Sequence, residues 1–289
     1  MVSCLAKCRQ YPIMTLMSEW TFRDEISRSS INVPRAAFLF ARDIHYPDLD
    51  VGSYMAQLDG LVSLTRAQIL WDWPVFMQAE GVARFLFQEY GLQGSTADYF
   101  DPRNSYLNEV LDRRRGVPIA LSVIFVYVCQ RLGLAAHGVN LPGHFIAAVQ
   151  DGETTLLFDP FHGGQRLTLA ECADLVHRTS GYDGPFRKIW LLPAAGRETL
   201  ARMLHNLRLI YIQDERWVLA TAVVEHLRLL QPGTAEHVRD LGLLHYQVRH
   251  MRLAAQYLEE YAQLAPESAE LKTIRRNVWA VFDRWVRAN

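Results

Sequence analysis

Apolar residues recur along this chain at two spacings, and the change from one to the other divides it. Ala37, Phe40, Ala41 and Ile44 fall three and four apart, the stripe of an amphipathic helix that Pro47 then stops. Tyr54, Leu58, Leu61 and Val62 repeat the design. Val82, Phe85, Leu86 and Tyr90 give it a third time, in a helix that Gly91 ends. From Ser105 a short helix runs to a break at Gly116, and a second starts with Pro118 in its first turn, where proline's fixed φ and missing N–H cost least. That helix is expected to close near Gly133. The period then shortens: "AHGVNL", "HFIAAVQ" and "TTLLF" read as strands, the last two joined through "DGE" as a hairpin. "FRKIWLL" at 186–192 reads as a further strand.

Beyond Gly196 the pattern is helical again and repeats. Pro232 and Pro266 are 34 residues apart, as are Leu207 and Leu241, and Ala220 and Ala254. That is the length of a tetratricopeptide repeat. The small residues let paired helices approach, and the prolines end each second helix. Two units plus a last helix, "LKTIRRNVWAVFDRWV", are near the minimum for a solenoid, so the segment is expected to lean on the rest of the chain. Its apolar stripes fit either core or a partner-binding groove. The division is a tail over 1–17, helices over 18–95, a mixed region over 96–195 and helical repeats over 196–289. The class is α+β, predominantly helical, with a small antiparallel sheet.

Composition narrows the picture. Half of the 289 residues are hydrophobic, enough for a sizeable core. Thirty basic residues stand against thirty-one acidic ones, so no electrostatic argument favours nucleic acid. Arg113, Arg114 and Arg115 form the one dense basic run, read as a solvated helix end or as an anion site. Cys4, Cys8, Cys129 and Cys172 lack metal-ligand spacing and fit a reducing cytoplasm. Neither a signal peptide nor a membrane span of ~20 apolar residues is expected. The natural start fits Met1, Met14 or Met17.

Three landmarks carry chemistry: the helix start at Pro118, His144 in "LPGHF", and Asp159 in "LLFDPF". A nucleophile at a helix start, a strand histidine and an acid on the next strand form a Cys–His–Asp layout. The helix terminus lowers a thiol's pKa, the imidazole takes its proton, and the carboxylate orients the imidazole. Here the first place is proline, which has no nucleophilic side chain. Two substitutes present themselves. Cys129 lies eleven residues along the helix, ~16 Å away and beyond contact with His144, and reads as a small buried residue. Ser122 is one turn on, ~6 Å along the axis, and reads either as a replacement nucleophile or as a serine bonded to its own helix. His144 and Asp159 also fit a structural pair tying strands together, and with His162 a metal site across the "DPFHGG" turn. Gly163 and Gly164 allow positive φ there. An open cleft at His144 would favour catalysis; burial under Phe125 or Phe145 would argue against it.

"NSYLNEVLDRRRGVPIALSVIFVYVCQRLGLAAHGVNLPGHFIAAV" followed by "LLFDPFHGG" resembles the transglutaminase-like, papain-like core of a bacterial family, SirB-one, which joins it to carboxy-terminal tetratricopeptide repeats. "AAFLFARDIHYPDLDVGSYMAQLDGL" is similar to the same family's helical amino-terminal region. By this resemblance Pro118 occupies the catalytic cysteine's position, His144 the histidine's and Asp159 the aspartate's. The expectation is a non-catalytic, regulatory scaffold with a protein or peptide partner and neither cofactor nor metal. The oligomeric state is left open. The rival is a hydrolase or acyl/amide transferase with His144 as base, Asp159 as orienter, and water or Ser122 as nucleophile.

Overall fold

A computed structural model describes residues 20–70 and 72–270. Cys4, Cys8, Met14, Met17 and the helix expected over 271–286 lie outside the described residues. Four helices come first: α1 (Phe22–Ile26), α2 (Val33–Ile44), α3 (Val51–Arg66) and α4 (Val75–Arg84), the last running on as a π turn over Phe85–Glu89. Asn32 caps α2 and Asp50 caps α3, each side chain accepting from a backbone N–H three residues on. The stripes predicted for these helices are the buried faces: Ala37, Phe40, Ala41, Leu58, Leu61, Val62, Val82 and Leu86 all lie inside.

The middle of the chain is built on α6 (Pro118–Arg131), preceded by β1 (Gln93–Gly94), α5 (Leu107–Arg113) and β2 (Arg115–Gly116). Eleven of the fourteen α6 residues are buried, as expected of a helix apolar all round. Four antiparallel strands follow in sequence order: β3 (Ala136–Val139), β4 (Ile146–Asp151), β5 (Thr154–Asp159) and β6 (Gln165–Leu167). Alternation along the strands gives the sheet two apolar faces. Ala147, Val149 and Phe158 join the core that holds α6, while Ile146, Ala148 and Leu157 pack with Leu175 and Val176 of α7 (Leu169–Ser180). α6, the sheet and α7 are thus three stacked layers.

One expectation needs correction here. Residues 186–192 do not form a strand; Lys188–Leu191 is a 3-10 turn. Trp190 and Leu191, adjacent in sequence, both pack against the α7-side core, which an extended strand would forbid by sending them to opposite faces. The sequence reading also passed over α7 and β6. The signal for α7 was present: Thr168 and Glu171 form a capping box, with Glu171 returning a carboxylate to the Thr168 backbone at 2.7 Å.

The repeats comprise α8 (Gly196–Gln213), α9 (Trp217–Leu230), α10 (Ala235–Gln247) and α11 (Met251–Leu264). Their period is written in the backbone as well as in the side chains. Glu215 and Arg249, 34 apart, both turn left-handed at φ 56° and 63°. Gln231 and Ala265, also 34 apart, close α9 and α11 at φ −132° and −136°. Geometry repeats where chemistry does not.

The main apolar core runs without interruption from Phe22 through α6 to Leu207, Val224 and Leu244, so the repeats do lean on the rest. Inside it the Tyr106 and Tyr211 hydroxyls meet at 2.9 Å, joining the start of α5 to α8. Tyr211→Phe strands a buried hydroxyl on Tyr106 and is expected to cost about 1–3 kcal/mol. Denaturant titration checks it, and circular dichroism and tryptophan fluorescence should report one shared transition.

The repeats carry a pH dependence. Burial, with the charge of Arg208, pushes His205 down to about 4, and burial also lowers His237 and His245. A histidine depressed in the folded state stabilises fully above its ordinary 6.5, and that stability is lost as pH falls toward the folded value. The thermal midpoint is therefore expected to fall between about pH 7 and pH 5, with a shallower slope in His205→Gln.

Candidate functional site

His144 sits two residues before β4, in a turn closed by its own N–H donating to Leu141 O at 3.2 Å. The turn is pinned from behind. Gly143, at φ 72°, lies so close to the end of α7 that a Cβ there would stand 2.6 Å from the Thr179 carbonyl. Thr179 Oγ1 donates to Pro142 O at 3.3 Å. Asp159 ends β5 and begins a 3-10 turn, Pro160–His162, which it caps by accepting from the backbone N–H groups of Phe161 (3.0 Å) and His162 (3.4 Å).

Between these two places runs a polar chain, buried at His144 and Asp159 and exposed at His162. His144 Nε2 lies 3.0 Å from Asp159 Oδ1, and His162 Nδ1 lies 2.7 Å from Asp159 Oδ2. Burial pushes the Asp159 carboxyl upward, but the hydrogen bonds and charges of the two imidazoles outweigh it and hold it below its usual range. An ionised carboxylate only accepts, so both facing nitrogens carry the hydrogens. In its neutral form His144 is thereby the Nε2–H tautomer, which puts the free lone pair on Nδ1. No hydrogen bond to Nδ1 is made among the described residues.

His144 is 3% exposed and Asp159 fully buried. The rings over His144 are Phe161, edge-on at 5.9 Å, and His162, stacked at 5.8 Å, so it is neither open to solvent nor covered by the Phe125 or Phe145 weighed from sequence. Phe161 is a site residue that sequence reading missed; its place is set by the 3-10 turn. One ligand atom each from His144, Asp159 and His162 lies within 4.8 Å of the others. These donor types suit a cation, but the nitrogens facing the carboxylate carry protons, and a metal there would have to displace both.

Pro118 is the first residue of α6 and is buried. Its neighbourhood is fixed by a parallel pairing: Gly116 is registered with Gly94, and a Cβ on Gly94 would fall 2.4 Å from the Phe161 carbonyl. One turn on, Ser122 Oγ donates to Phe145 O at 3.3 Å, next door to His144. The helix start is therefore bracketed against the site. Ser122 is buried and bonded across to the β4 approach, not to its own helix as the simpler expectation had it. Cys129 lies in the core, and burial pushes its thiol far up. Of the arginine run, Arg113 reaches Asn104 and Arg114 lies 4.5 Å over the Tyr90 ring, so two of the three are taken up by the end of α5.

The chain matches the transglutaminase-like superfamily over residues 52–205 and a tetratricopeptide repeat over 207–278. A transglutaminase-like domain joined to these repeats is the class of protein that fold and matches together define. A UPF0162 protein of Xylella fastidiosa is 36% identical over 265 residues, spanning 90% of this chain and 93% of that one. One from Vibrio cholerae is 27% identical over 201 residues, 67% of this chain and 73% of the other. The chain belongs to the UPF0162 family. Human F-box only protein 21 is 30% identical over 132 residues, 42% of this chain and 20% of that protein. Among the described residues no helix is long and apolar enough to cross a membrane.

Proposed function

We propose that this chain is a non-catalytic transglutaminase-like scaffold that recognises a protein or peptide in a regulatory role in the cytoplasm. The resemblance to the SirB-one family belongs to that proposal, as does the division into helices over 18–95, core over 96–195 and repeats over 196–289. The observation that supports it most is Pro118 at the head of α6. The position where the layout needs a nucleophile holds a saturated ring, while His144 and Asp159 remain as a buried, hydrogen-bonded pair. The tetratricopeptide repeats, a type of surface suited to peptides, support the recognition half.

A second reading has one observation in its favour. The orientation of His144 directs Nδ1 away from the carboxylate, so the neutral imidazole could serve there as general base to a water molecule, a contribution of ~10²–10⁴-fold. The full chain and His144→Ala, assayed with p-nitrophenyl acetate and with an amine acceptor, separate the two. Equal rates are expected. Turnover abolished by His144→Ala overturns the scaffold reading. Capture from a bacterial lysate then locates recognition: a partner lost with His144→Ala binds the cleft, and one kept by both binds the repeats.

A further inference from the structure

A cavity of about 540 Å³ opens between the first turn of α2, α6, β3 and the first turn of α8, with Ser122 and Phe145 in its wall. Its volume falls in the ordinary range for small-molecule sites. Ile31, Val33, Val123, Val126 and Phe145 give it an apolar floor. Its charged lining is of one sign: Arg28, Arg35 and Arg131, with no carboxylate.

The carboxylates near that wall are engaged elsewhere. Asp59 holds Arg131 at 3.2 Å and accepts from the Tyr127 hydroxyl at 2.8 Å. Glu25 is buried behind the wall, accepting from the Asn32 N–H and the Trp20 indole. Glu198 caps its own helix through the Ala195 N–H. Arg28 and Arg35 have no hydrogen-bonding or ionic partner for their guanidinium groups among the described residues. Burial lowers His137, leaving it a neutral donor or acceptor at the same wall. Helix ends add to the sign. Asn32, Pro34 and Arg35 from the start of α2, and Gly196 and Thr199 from the start of α8, all line the cavity, so two helices of 12 and 18 residues turn their positive ends toward it. Uncompensated guanidinium groups, two helix termini and an apolar floor form a complement to a molecule with a negative head and a hydrocarbon body.

We propose that this cavity binds a small amphipathic organic anion, its carboxylate or phosphate held by Arg28 and Arg35 and its apolar part laid on the floor. Pro118, His144 and Asp159 do not line this cavity, so the binding calls on none of them. Because the walls come from the amino-terminal helices, the core and the first repeat helix, a ligand here clamps all three.

Octanoate, octyl phosphate, octylamine and 1-octanol, titrated into the full chain by calorimetry and by thermal shift, test this. Saturable binding of octanoate, octyl phosphate or both is expected, with a raised melting temperature and an affinity that falls with added salt. Which of the two anions binds tells the headgroup. Arg28→Gln, at an exposed position, and Arg28→Gln/Arg35→Gln should each melt like wild type without ligand, and the double variant should bind about tenfold more weakly or worse. Equal binding of octylamine or octanol, wild-type affinity in the double variant, or no binding of either anion overturns the proposal.

Discussion

Replacing Asp159 by alanine is expected to cost about 3–5 kcal/mol of folding stability, among the largest effects of any single polar substitution in the chain. The carboxylate is fully buried and is the sole acceptor shown for His144 Nε2, His162 Nδ1 and the backbone N–H groups of Phe161 and His162. Removing it leaves a buried imidazole N–H and a capped turn with nothing to donate to. Asp159→Asn keeps an acceptor oxygen and should lose less. The sign with pH follows from the depressed carboxyl. Its contribution is complete above the ordinary value of 3.8 and is lost as pH falls through the lower folded value, so the gap between wild type and variants should narrow in acid. Urea titrations of the three proteins at neutral and acid pH measure it. Asp159→Ala as stable as wild type would mean that the histidine-aspartate chain does not hold the turn.

A second large effect is expected one turn further on. Gly164→Ala should destabilise by about 2–4 kcal/mol, while Gly163→Ala should cost only about 1 kcal/mol. Both glycines are left-handed, at φ 71° and 76°, so both substitutions carry the same backbone strain. The difference is space. A Cβ on Gly163 meets nothing, whereas on Gly164 it would fall 2.3 Å from Phe87 Cδ2, and Phe87 stacks on Phe125 of α6 at 6.1 Å. The π turn over Phe85–Glu89 sets Phe87 against that glycine. Side-by-side melts of the two variants check the contrast, and equal losses would mean that Phe87 yields.

The fold was legible where periodicity is long and apolar. Helices α2, α3, α4 and α6, the β4–β5 hairpin and the 34-residue repeat all follow from residues that recur at fixed spacing. What escaped was short or set by distant partners. β6 is three residues long, and the turn at 188–191 is decided by a core that only the folded sheet creates. At the site, residue types and order identified His144 and Asp159, and the structure brings them within one hydrogen bond. The covering rings were not legible, because Phe161 and His162 are aimed by a 3-10 turn whose cap is Asp159 itself. Ser122 was misjudged for a related reason: its acceptor, Phe145 O, lies 23 residues away, beyond local reasoning.

The unbroken interior from Phe22 to Leu244 has a consequence for how such a chain can be divided. A cut near Gly196 would not release a free-standing repeat module, because it would open Leu204, Leu207 and Tyr211 to water together with the faces of α2 and α6 they cover. Gene fusions and deletions that respect the sequence boundary would still tear one solid in half. In this chain the mechanical unit is the whole interior, and a fragment cut at that boundary would need a new surface to fold alone.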